Sequence, residues 1–522
     1  MASSVLTILV FLPVAGALAM LFMPKDKADQ FKWIALGATG LQLLVALWLL
    51  GSFDRSAVGM QFTFMAEWIP SFNIFYHVGV DGLSMPMVLL TALLSFLAIL
   101  TSWNITKAPR GYFSLFLLLD AGMMGVFVSL DFFLFYMFWE VMLLPMYFLI
   151  GMWGGPQRQY AAIKFFLYTL FGSVLMLLAM LALYFYTEPH TFNLITLIEQ
   201  ARYIDVQLWG FDMRWLIWLA LFIGFAIKVP IFPFHTWLPL AHVEAPTAVS
   251  VILAGVLLKM GTYGLLRISF PLLPAEAIYF AYMLALLGVI NIIWGAANAI
   301  AQVDLKRMVA YSSVSHMGIV LLGMAAIVST NRGGAEAGLN GAVLQMFNHG
   351  IITAMLFMLV GVLYDQAHHR FIVYPKDHED ESLRGKLGFG GLASHLPVFT
   401  AFTAVAFFAG LGLPALSAFV SELMSFIGGF SVFRTLTIIA TIGILLNATY
   451  FLRAFQRVFQ GPENEKWASL KDMSGREIAM LTPLLVLVIG LGVYPRPALE
   501  IIAVTMGELI DLVQAVMPLA AQ

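Results

Sequence analysis

Apolar runs of the length of a membrane-spanning helix follow one another along almost the whole of this 522-residue chain. A helix that crosses a bilayer needs about 20 apolar residues, and the runs between polar breaks give about fourteen candidates. The mean hydropathy of +0.91 and the 11% of charged residues lie well outside the range of soluble globular proteins. The sequence therefore predicts an all-α polytopic membrane protein.

The expected helices begin near Ser4, Phe31, Val78, Tyr112, Phe132, Tyr160, Met213, Pro246, Ala275, Leu305, Leu339, Gly391, Arg434 and Ile478. The run from Val5 to Met23 has no basic region and cleavage site of the signal-peptide kind, so we expect it to be retained as the first span. After Pro497, acidic residues recur among apolar ones, which predicts a helix along the membrane interface rather than a further span.

The composition excludes several classes of function. The net charge is −2, so no basic field favours nucleic acid, and the ten histidines lack a metal-ligand spacing such as HExxH. The chain has no cysteine, which excludes disulfides, thiol catalysis and iron–sulfur ligation by cysteine within it. We therefore expect no cofactor in this chain, and any linked redox chemistry in another subunit.

The distribution of basic residues predicts the orientation in the membrane. An even number of spans places both termini on one side. The polar breaks on the opposite side carry more than twice as many Lys and Arg residues as those on the terminal side. The positive-inside rule then places both termini outside the cytoplasm or matrix.

Three charged residues lie deep in apolar runs: Glu140, Lys228 and Glu422. A charge near the bilayer centre costs about 2.5 to 3.5 kcal/mol on insertion scales, so each is expected to face a protein partner or water. Glu140 follows Asp131 by nine residues, which places it about 13 Å into a hydrocarbon core about 30 Å thick. The three residues suggest an ion path, and a static ion pair between two helices is the alternative for Glu140.

Two of these residues lie beside predicted helix breaks, KVPIFPF around Lys228 and GLGLPALSAF around Pro414. Proline frees carbonyl groups, which at membrane depth must be buried in protein or line a hydrated cavity. Such a break can hold water beside Lys228, and a kink that only shapes packing is the alternative. Transporters built from inverted repeats place broken helices in corresponding positions of their two halves, with the ion site between them.

Further titratable residues occupy apolar surroundings: Lys164, His235, Lys259, His316 and His349. Burial lowers the pKa of a lysine and raises that of a glutamate, whereas an ion pair restores both charged forms. Making or breaking a pair between a buried glutamate and a buried lysine therefore switches the lysine between holding and releasing a proton. Histidine titrates near neutrality, although a lone helical histidine is more often a satisfied core residue.

Two other sets of charged residues have a different interpretation. Lys306 and Arg307 stand at a predicted helix start, which is typical of topology determinants. Asp120 lies deep in its predicted helix, and the sequence offers it no evident partner.

The stretch HTWLPLAHVEAPTAVSVILAGVLLKMGTYGLLR at 235–267 resembles the signature of the antiporter-like subunits of respiratory complex I, the proton-translocating NADH:quinone oxidoreductase. The similarity continues at VDGLS (80–84), DFFLFYMFWEVMLLPMYFLIGMWGG (131–155), KFFLYT (164–169), DLKRMVAYSSVSHMG (304–318), FNHGIITAMLFMLVGVLYDQAH (347–368) and GLPALSAFVSE (412–422). Three paralogues share this core. Glu422, where the other two carry lysine, points to one of them.

The resemblance implies fourteen helices with two inverted five-helix repeats, each containing a broken helix. On this basis residues 1–110 are an N-terminal three-helix segment, 111–270 and 271–460 are the two repeats, and 461–522 hold the last span and the interfacial helix. It also implies site roles, which make up a proton relay: Glu140 paired with Lys228, Lys259 as the centre, His316 and His349 along the axis, Glu422 at the far end, and Lys164 and His235 as further members.

The function implied is proton pumping, coupled to quinone reduction elsewhere in the complex. The implied partners are the other membrane subunits, including two paralogues, the peripheral NADH-oxidising arm with its FMN, iron–sulfur clusters and quinone, and lipids, with no nucleic acid. The expected location is a bacterial plasma membrane with periplasmic termini, or a mitochondrial inner membrane. A subunit of a multisubunit Na⁺/H⁺ antiporter, a membrane-bound hydrogenase subunit and a non-conducting structural spacer are the alternatives.

Overall fold

The computed structural model describes residues 4–25 and 27–517, and nearly all of them are helical or connect helices. The N-terminal part contains α1 (Val5–Leu21), α2 (Ala28–Ser52), β1 (Gln61–Ile69), β2 (Ile74–Val80), α3 (Ser84–Thr101) and α4 (Pro109–Val128). There follow α5 (Phe132–Val141), α6 (Leu143–Trp153), α7 (Arg158–Tyr186), α8 (Leu194–Gln200), β3 (Gln207–Leu208), β4 (Phe211–Asp212), α9 (Met213–Lys228) and α10 (Trp237–Glu244).

The next membrane-length helix, residues 247–272, contains two wider turns. It consists of α11 (Thr247–Ile252), α12 (Leu258–Gly264) and α13 (Phe270–Leu272), joined by π-helical segments Leu253–Leu257 and Leu265–Ser269. Residues 248–272 of this helix are all buried in the protein interior, and Thr247 at its start is half-buried. Short π-helical segments inside α-helices occur frequently at functional sites.

The second half of the chain contains α14 (Pro274–Tyr279), α15 (Ala281–Ala301), α16 (Leu305–Ala325), α17 (Arg332–Ala367), α18 (Pro397–Leu411), α19 (Ser417–Val432), α20 (Arg434–Ala440), α21 (Ile442–Phe459), α22 (Gly475–Val493) and α23 (Arg496–Gln514). Glycines let some of these helices approach closely. A Cβ at Gly288 of α15 would lie 2.8 Å from the Gly318 carbonyl oxygen of α16, so these two helices meet backbone to backbone.

Within the described residues, eleven helices are long and apolar enough to cross a membrane, and three more apolar helices are shorter. The shorter ones are α1, α18 and α19. The polytopic helical architecture is therefore confirmed. The count of fourteen spans stays a prediction, because broken helices such as α18 and α19 are each too short to be counted alone.

The segment before α3 differs from the prediction of a helix beginning near Val78. Residues 61–80 instead form an antiparallel hairpin in which Gln61 pairs with Val80 and Ile69 with Ile74. The helix begins at Ser84, where the Asp81 carboxylate accepts hydrogen bonds from the backbone N–H groups of Leu83 and Ser84, both at 3.0 Å. The apolar run around Val78 was interpreted as helical, and the alternation of its side chains between the two faces of a strand was overlooked. The predicted start of the helix was therefore wrong.

The C-terminal helix α23 packs across the ends of several other helices. Thr505 accepts a hydrogen bond from the Gly82 backbone N–H at 2.9 Å, beside the start of α3. Asp511 forms an ion pair with Arg332, the first residue of α17. Both helix starts are expected on the terminal side of the membrane, and the position of α23 along that interface stays a prediction.

Candidate functional site

The first helix break lies between α9 and α10, where Pro230 and Pro233 interrupt the chain. Asn291 of α15 closes this break from both sides. Its Oδ1 accepts from the Phe232 backbone N–H at 2.7 Å, and its Nδ2 donates to the Pro230 carbonyl at 3.2 Å. The Trp237 indole N–H donates to the Ile227 carbonyl at 2.9 Å. Protein side chains therefore bind two of the carbonyls at this break.

Lys228 is the last residue of α9, and its side chain is buried between two aromatic rings. The ammonium lies 5.1 Å from the ring centroid of Trp139 and 5.6 Å from that of Phe165. Cation–π attraction and the partial negative charge at a helix C-terminus both stabilise a cation there. The ammonium has no hydrogen-bond partner among the described residues.

Glu140 of α5 lies near Lys228 without contacting it. The two charges attract each other electrostatically, but among the described residues no ion pair within 4.0 Å joins Glu140 and Lys228. One Glu140 oxygen, Oε1, is buried and has no hydrogen-bond partner in that part of the chain. The expected Glu140–Lys228 ion pair is therefore not formed in this structure, which instead holds an unpartnered acceptor and an unpartnered donor on two helices.

Lys164 and His235 lie together on the other side of the first break. Lys164 of α7 stands 5.9 Å above the Tyr168 ring, and its charge acts on His235. The Trp294 indole N–H donates to His235 Nε2 at 3.1 Å, so a neutral His235 carries its proton on Nδ1. That Nδ1 is buried without a partner among the described residues.

Lys259 occupies the centre of the helix 247–272, on the α-helical turns between the two π-helical segments. Its ammonium donates to the Ala254 carbonyl at 2.6 Å, five residues back along the π-helical segment. It also lies 2.7 Å from Nδ1 of His349 on α17. When Lys259 is charged, His349 must accept through Nδ1, which leaves its proton on Nε2.

The contacts continue from His349 to Glu422. The imidazole rings of His349 and His316 have centroids 5.6 Å apart. His316 Nδ1 lies 3.0 Å from Glu422 Oε1, and the Gln345 amide N–H donates to the same oxygen at 3.1 Å. The structure therefore brings together four predicted residues from four segments: α12, α16, α17 and α19.

The second break, between α18 and α19, is shaped around Glu422. Gly412 adopts a φ of +80°, a left-handed conformation that favours glycine. A Cβ at this position would lie 2.7 Å from Glu422 Oε2. Asn348 of α17 donates to the Ser417 carbonyl at 2.7 Å, so an asparagine from a neighbouring helix holds this break as Asn291 holds the first.

Two buried groups were not selected from the sequence. His242 of α10 is fully buried, stacks on the Phe357 ring at 4.7 Å, and has neither ring nitrogen bonded among the described residues. Lys259 and Lys306 lie close enough for their positive charges to repel a proton on His242. His242 follows His235 by seven residues in the same motif, a spacing that returns to one helix face and was a usable signal.

Lys306 is the second such group, because its interpretation as a topology determinant did not include its burial. Its side chain is buried, and its ammonium donates to the Ala245 carbonyl at 2.5 Å. The neighbouring Arg307 is exposed, as a topology determinant should be. Asp304 caps the start of α16, and Lys306 in the first turn of this helix reaches the residue that follows α10.

These groups form a chain of buried ionisable side chains between broken helices in a polytopic membrane protein, the class to which ion-translocating membrane subunits belong. Among the described residues, no three His, Cys, Asp or Glu side chains come close enough together to hold a metal ion. The family described as NADH:quinone oxidoreductase/Mrp antiporter, transmembrane, matches residues 129–447.

Curated relatives match over nearly the whole chain. NADH-quinone oxidoreductase subunit M of Rhodobacter capsulatus is 40% identical over 519 residues, which cover 97% of this chain and 96% of that protein. NAD(P)H-quinone oxidoreductase chain 4 1 of Synechococcus elongatus is 42% identical over 526 residues, which cover 99% and 93%. The chain therefore belongs to the antiporter-like membrane subunits of NADH:quinone oxidoreductase, within the subunit M or chain 4 family.

Solved structures agree with this assignment. A chain of respiratory complex I from Thermus thermophilus with bound NADH superposes with a TM-score of 0.83 at 28% identity, covering 98% of this chain and all of that one. A chain of the Mrp complex from Dietzia sp. has a TM-score of 0.81 at 20% identity, covering 99% of both chains. The second likeness shows a shared fold only.

Proposed function

We propose that this chain is a proton-translocating membrane subunit of NADH:quinone oxidoreductase, which pumps protons when quinone is reduced elsewhere in the complex. The observation that carries the proposal is the contact series from Lys259 through His349 and His316 to Glu422. Each imidazole in it can accept a proton on one nitrogen and release another from the second. Charge thus moves along the series while each side chain stays in place.

The open Glu140–Lys228 arrangement supplies the switch in this proposal. Closing the ion pair stabilises the charged form of Lys228, and opening it favours release of the proton. Both groups are free to form the ion pair, because each has a polar atom without a hydrogen-bond partner in the described part of the chain. His242 lies within the electrostatic reach of Lys259 on the same broken helix as Lys228, so we place it between the two halves.

The finer assignments belong to the same proposal. The residues of the relay are Glu140, Lys228, Lys259, His316, His349 and Glu422, with Lys164 and His235 beside the first break. The chain has no cysteine and so holds no cysteine-bound cluster, and we place FMN, iron–sulfur clusters and quinone in partner subunits. We place the protein in a bacterial plasma membrane with its termini on the periplasmic side, beside two paralogous subunits.

Proton transport is favoured over sodium transport by the centre of the relay. Sodium is bound by oxygen ligands, whereas the middle of this path is an ammonium 2.7 Å from an imidazole nitrogen. A cationic centre of this kind repels Na⁺ but exchanges protons. Sodium-dependent proton exchange without NADH would reverse this preference in favour of a Na⁺/H⁺ antiporter subunit.

Lys259→Met tests the proposal, because methionine keeps a long unbranched side chain and removes the ammonium. We expect the complex to assemble and NADH-driven proton pumping in membrane vesicles to be lost. Lys471→Met is the matched control, since Lys471 lies on the exposed surface, and its pumping should equal that of the wild type. Normal pumping by an assembled Lys259→Met complex would overturn the relay.

A further inference from the structure

Asp120 of α4 is a buried carboxyl group that the proposed relay does not use. Its side chain is completely inaccessible to solvent. The Ser95 hydroxyl of α3 donates to Asp120 Oδ1 at 2.6 Å. The other oxygen, Oδ2, has no hydrogen-bond partner among the described residues. Ser95 and Gln42 are the polar side chains beside this carboxyl, and among the described residues no Lys, Arg or His forms an ion pair with it.

The amide nitrogen of Gln42 on α2 already donates to a carbonyl of α1. Pro13 interrupts α1 and has no N–H, so the Leu9 carbonyl four residues earlier loses its helical donor. The Gln42 amide supplies that donor, with Nε2 lying 3.0 Å from the Leu9 oxygen. This need fixes the orientation of the amide and leaves Gln42 Oε1 as a buried acceptor without a donor in the described residues.

Asp120 and Gln42 therefore bring two unsatisfied acceptors into one apolar site. An ionised carboxylate would leave Asp120 Oδ2 and Gln42 Oε1 without a donor and a charge without a counterion, which is far more costly than burying the neutral acid. One proton on Asp120 Oδ2 satisfies both groups. We infer that Asp120 is a neutral carboxylic acid whose O–H donates to Gln42, and that it acts as a positioning residue for α3.

The positioning role follows from what α3 contacts next to Ser95. Leu94 packs on Gly255, where a Cβ would lie 2.3 Å from the leucine Cδ1. Leu90 packs in the same way on Gly350, at 2.6 Å from its Cδ2. Gly255 follows Ala254, whose carbonyl binds Lys259, and Gly350 follows His349. The Asp120–Ser95 bond thus holds α3 against the two backbone segments that carry the partners of Lys259.

Two substitutions at this position separate a neutral donor from a charge. Asp120→Asn keeps an acceptor for Ser95 and an N–H donor for Gln42, so the complex should assemble and pump like the wild type. Asp120→Leu removes both and should lower the yield of assembled complex roughly tenfold. The complex that does assemble should show a shifted pH profile of pumping.

Asp29→Leu is the control, because Asp29 is exposed on α2. An Asn variant as damaged as the Leu variant, or a harmless Leu variant, would overturn the inference.

The protonation state can be measured directly. With carbon-13 at the aspartate carboxyls, the infrared spectrum of the intact complex should show a protonated-carboxyl band that Asp120→Asn removes and that alkaline buffer leaves unchanged. Loss of a carboxylate band instead would contradict the inference. The positioning role rests on the proposed function, but the infrared result does not. If Lys259→Met pumps normally while the protonated band is present, the relay fails and the neutral Asp120 stands.

Discussion

The ammonium of Lys259 lies 2.7 Å from Nδ1 of His349, so two titratable groups from helices 247–272 and α17 share one hydrogen bond in a buried site. The only other partner of this ammonium among the described residues is the Ala254 carbonyl. Within the described part of the chain, the imidazole is therefore the one side chain that shares a hydrogen bond with the Lys259 ammonium. This contact joins Lys259 on helix 247–272 to the titratable residues that follow His349, which are His316 and Glu422.

Replacement of His349 by phenylalanine keeps the ring volume and removes both nitrogens. We expect NADH-driven pumping to fall by a factor on the order of 10², the scale of a lost acid–base group. Pumping and assembly are measured in the same vesicles. His190→Phe is the control, because His190 lies in a half-exposed loop outside the relay. An assembled His349→Phe complex with wild-type pumping would show that protons bypass this position.

Gly412→Ala tests the space around Glu422. The new methyl group would lie 2.7 Å from Glu422 Oε2, and a φ of +80° costs a residue with a Cβ about 1 to 2 kcal/mol. The carboxylate must then move away from His316, so pumping should fall while the rest of the complex assembles. Gly490→Ala is the matched control, since a Cβ there meets nothing within 4 Å. Equal pumping by both variants would remove Gly412 from the site.

Much of this arrangement was predictable from the residues. Lys228, Lys259 and Glu422 stood out because a charge in an apolar run needs a partner, and the two proline breaks marked where the helices open. The sequence could not show that Asn291 closes the first break, because residues 59 or more positions apart meet only through the fold. The hairpin at 61–80 was missed because the run around Val78 was interpreted from its apolar residues alone, without the alternation between two faces that a strand has.

The partners of the titratable groups were also beyond prediction. Lys306 was interpreted as a topology determinant because basic residues cluster at helix starts, yet its ammonium is buried and reaches the Ala245 carbonyl just after α10. Asp120 had no partner within its own helix, and its partners lie on α2 and α3. In both residues the side chain type was visible in the sequence, but the environment that gives it a role comes from helices distant in the chain.

Asn291→Leu tests the closure of the first break. The change leaves the Phe232 N–H and the Pro230 carbonyl unsatisfied, and each buried unsatisfied group costs about 1 to 3 kcal/mol. We therefore expect the thermal unfolding temperature of the purified complex and its pumping to fall together. Asn298→Leu on the same helix is the control, because the Asn298 side chain bonds, within the described part of the chain, only to the Trp294 carbonyl one turn earlier. Equal stability of the two variants would assign the break to its prolines alone.

His369 gives the polar segment after α17 a pH-dependent stability. Burial, and secondly Lys466, lower the pKa of His369 from 6.5 to about 4, so the folded segment holds the neutral ring. Unfolding raises proton uptake between these two values, so stability is full above pH 6.5 and is lost as the pH falls toward about 4. Hydrogen exchange of residues 368–396 should therefore accelerate over that range. In His369→Phe this acceleration should be smaller, and an unchanged pH dependence would assign it to other groups.

Glu140→Gln tests the open pair with Lys228, because glutamine keeps the shape of the side chain and removes its charge. If closing the pair switches Lys228, the variant should assemble and lose both proton pumping and NADH-driven quinone reduction, since the two processes are coupled. Glu336→Gln is the control, because Glu336 is exposed and pairs with Arg332 at the surface. Loss of pumping with quinone reduction intact would make Glu140 a conductor rather than part of the coupling. If both activities persisted, Glu140 would be structural, and Lys228 would have to release its proton without an ion-pair switch.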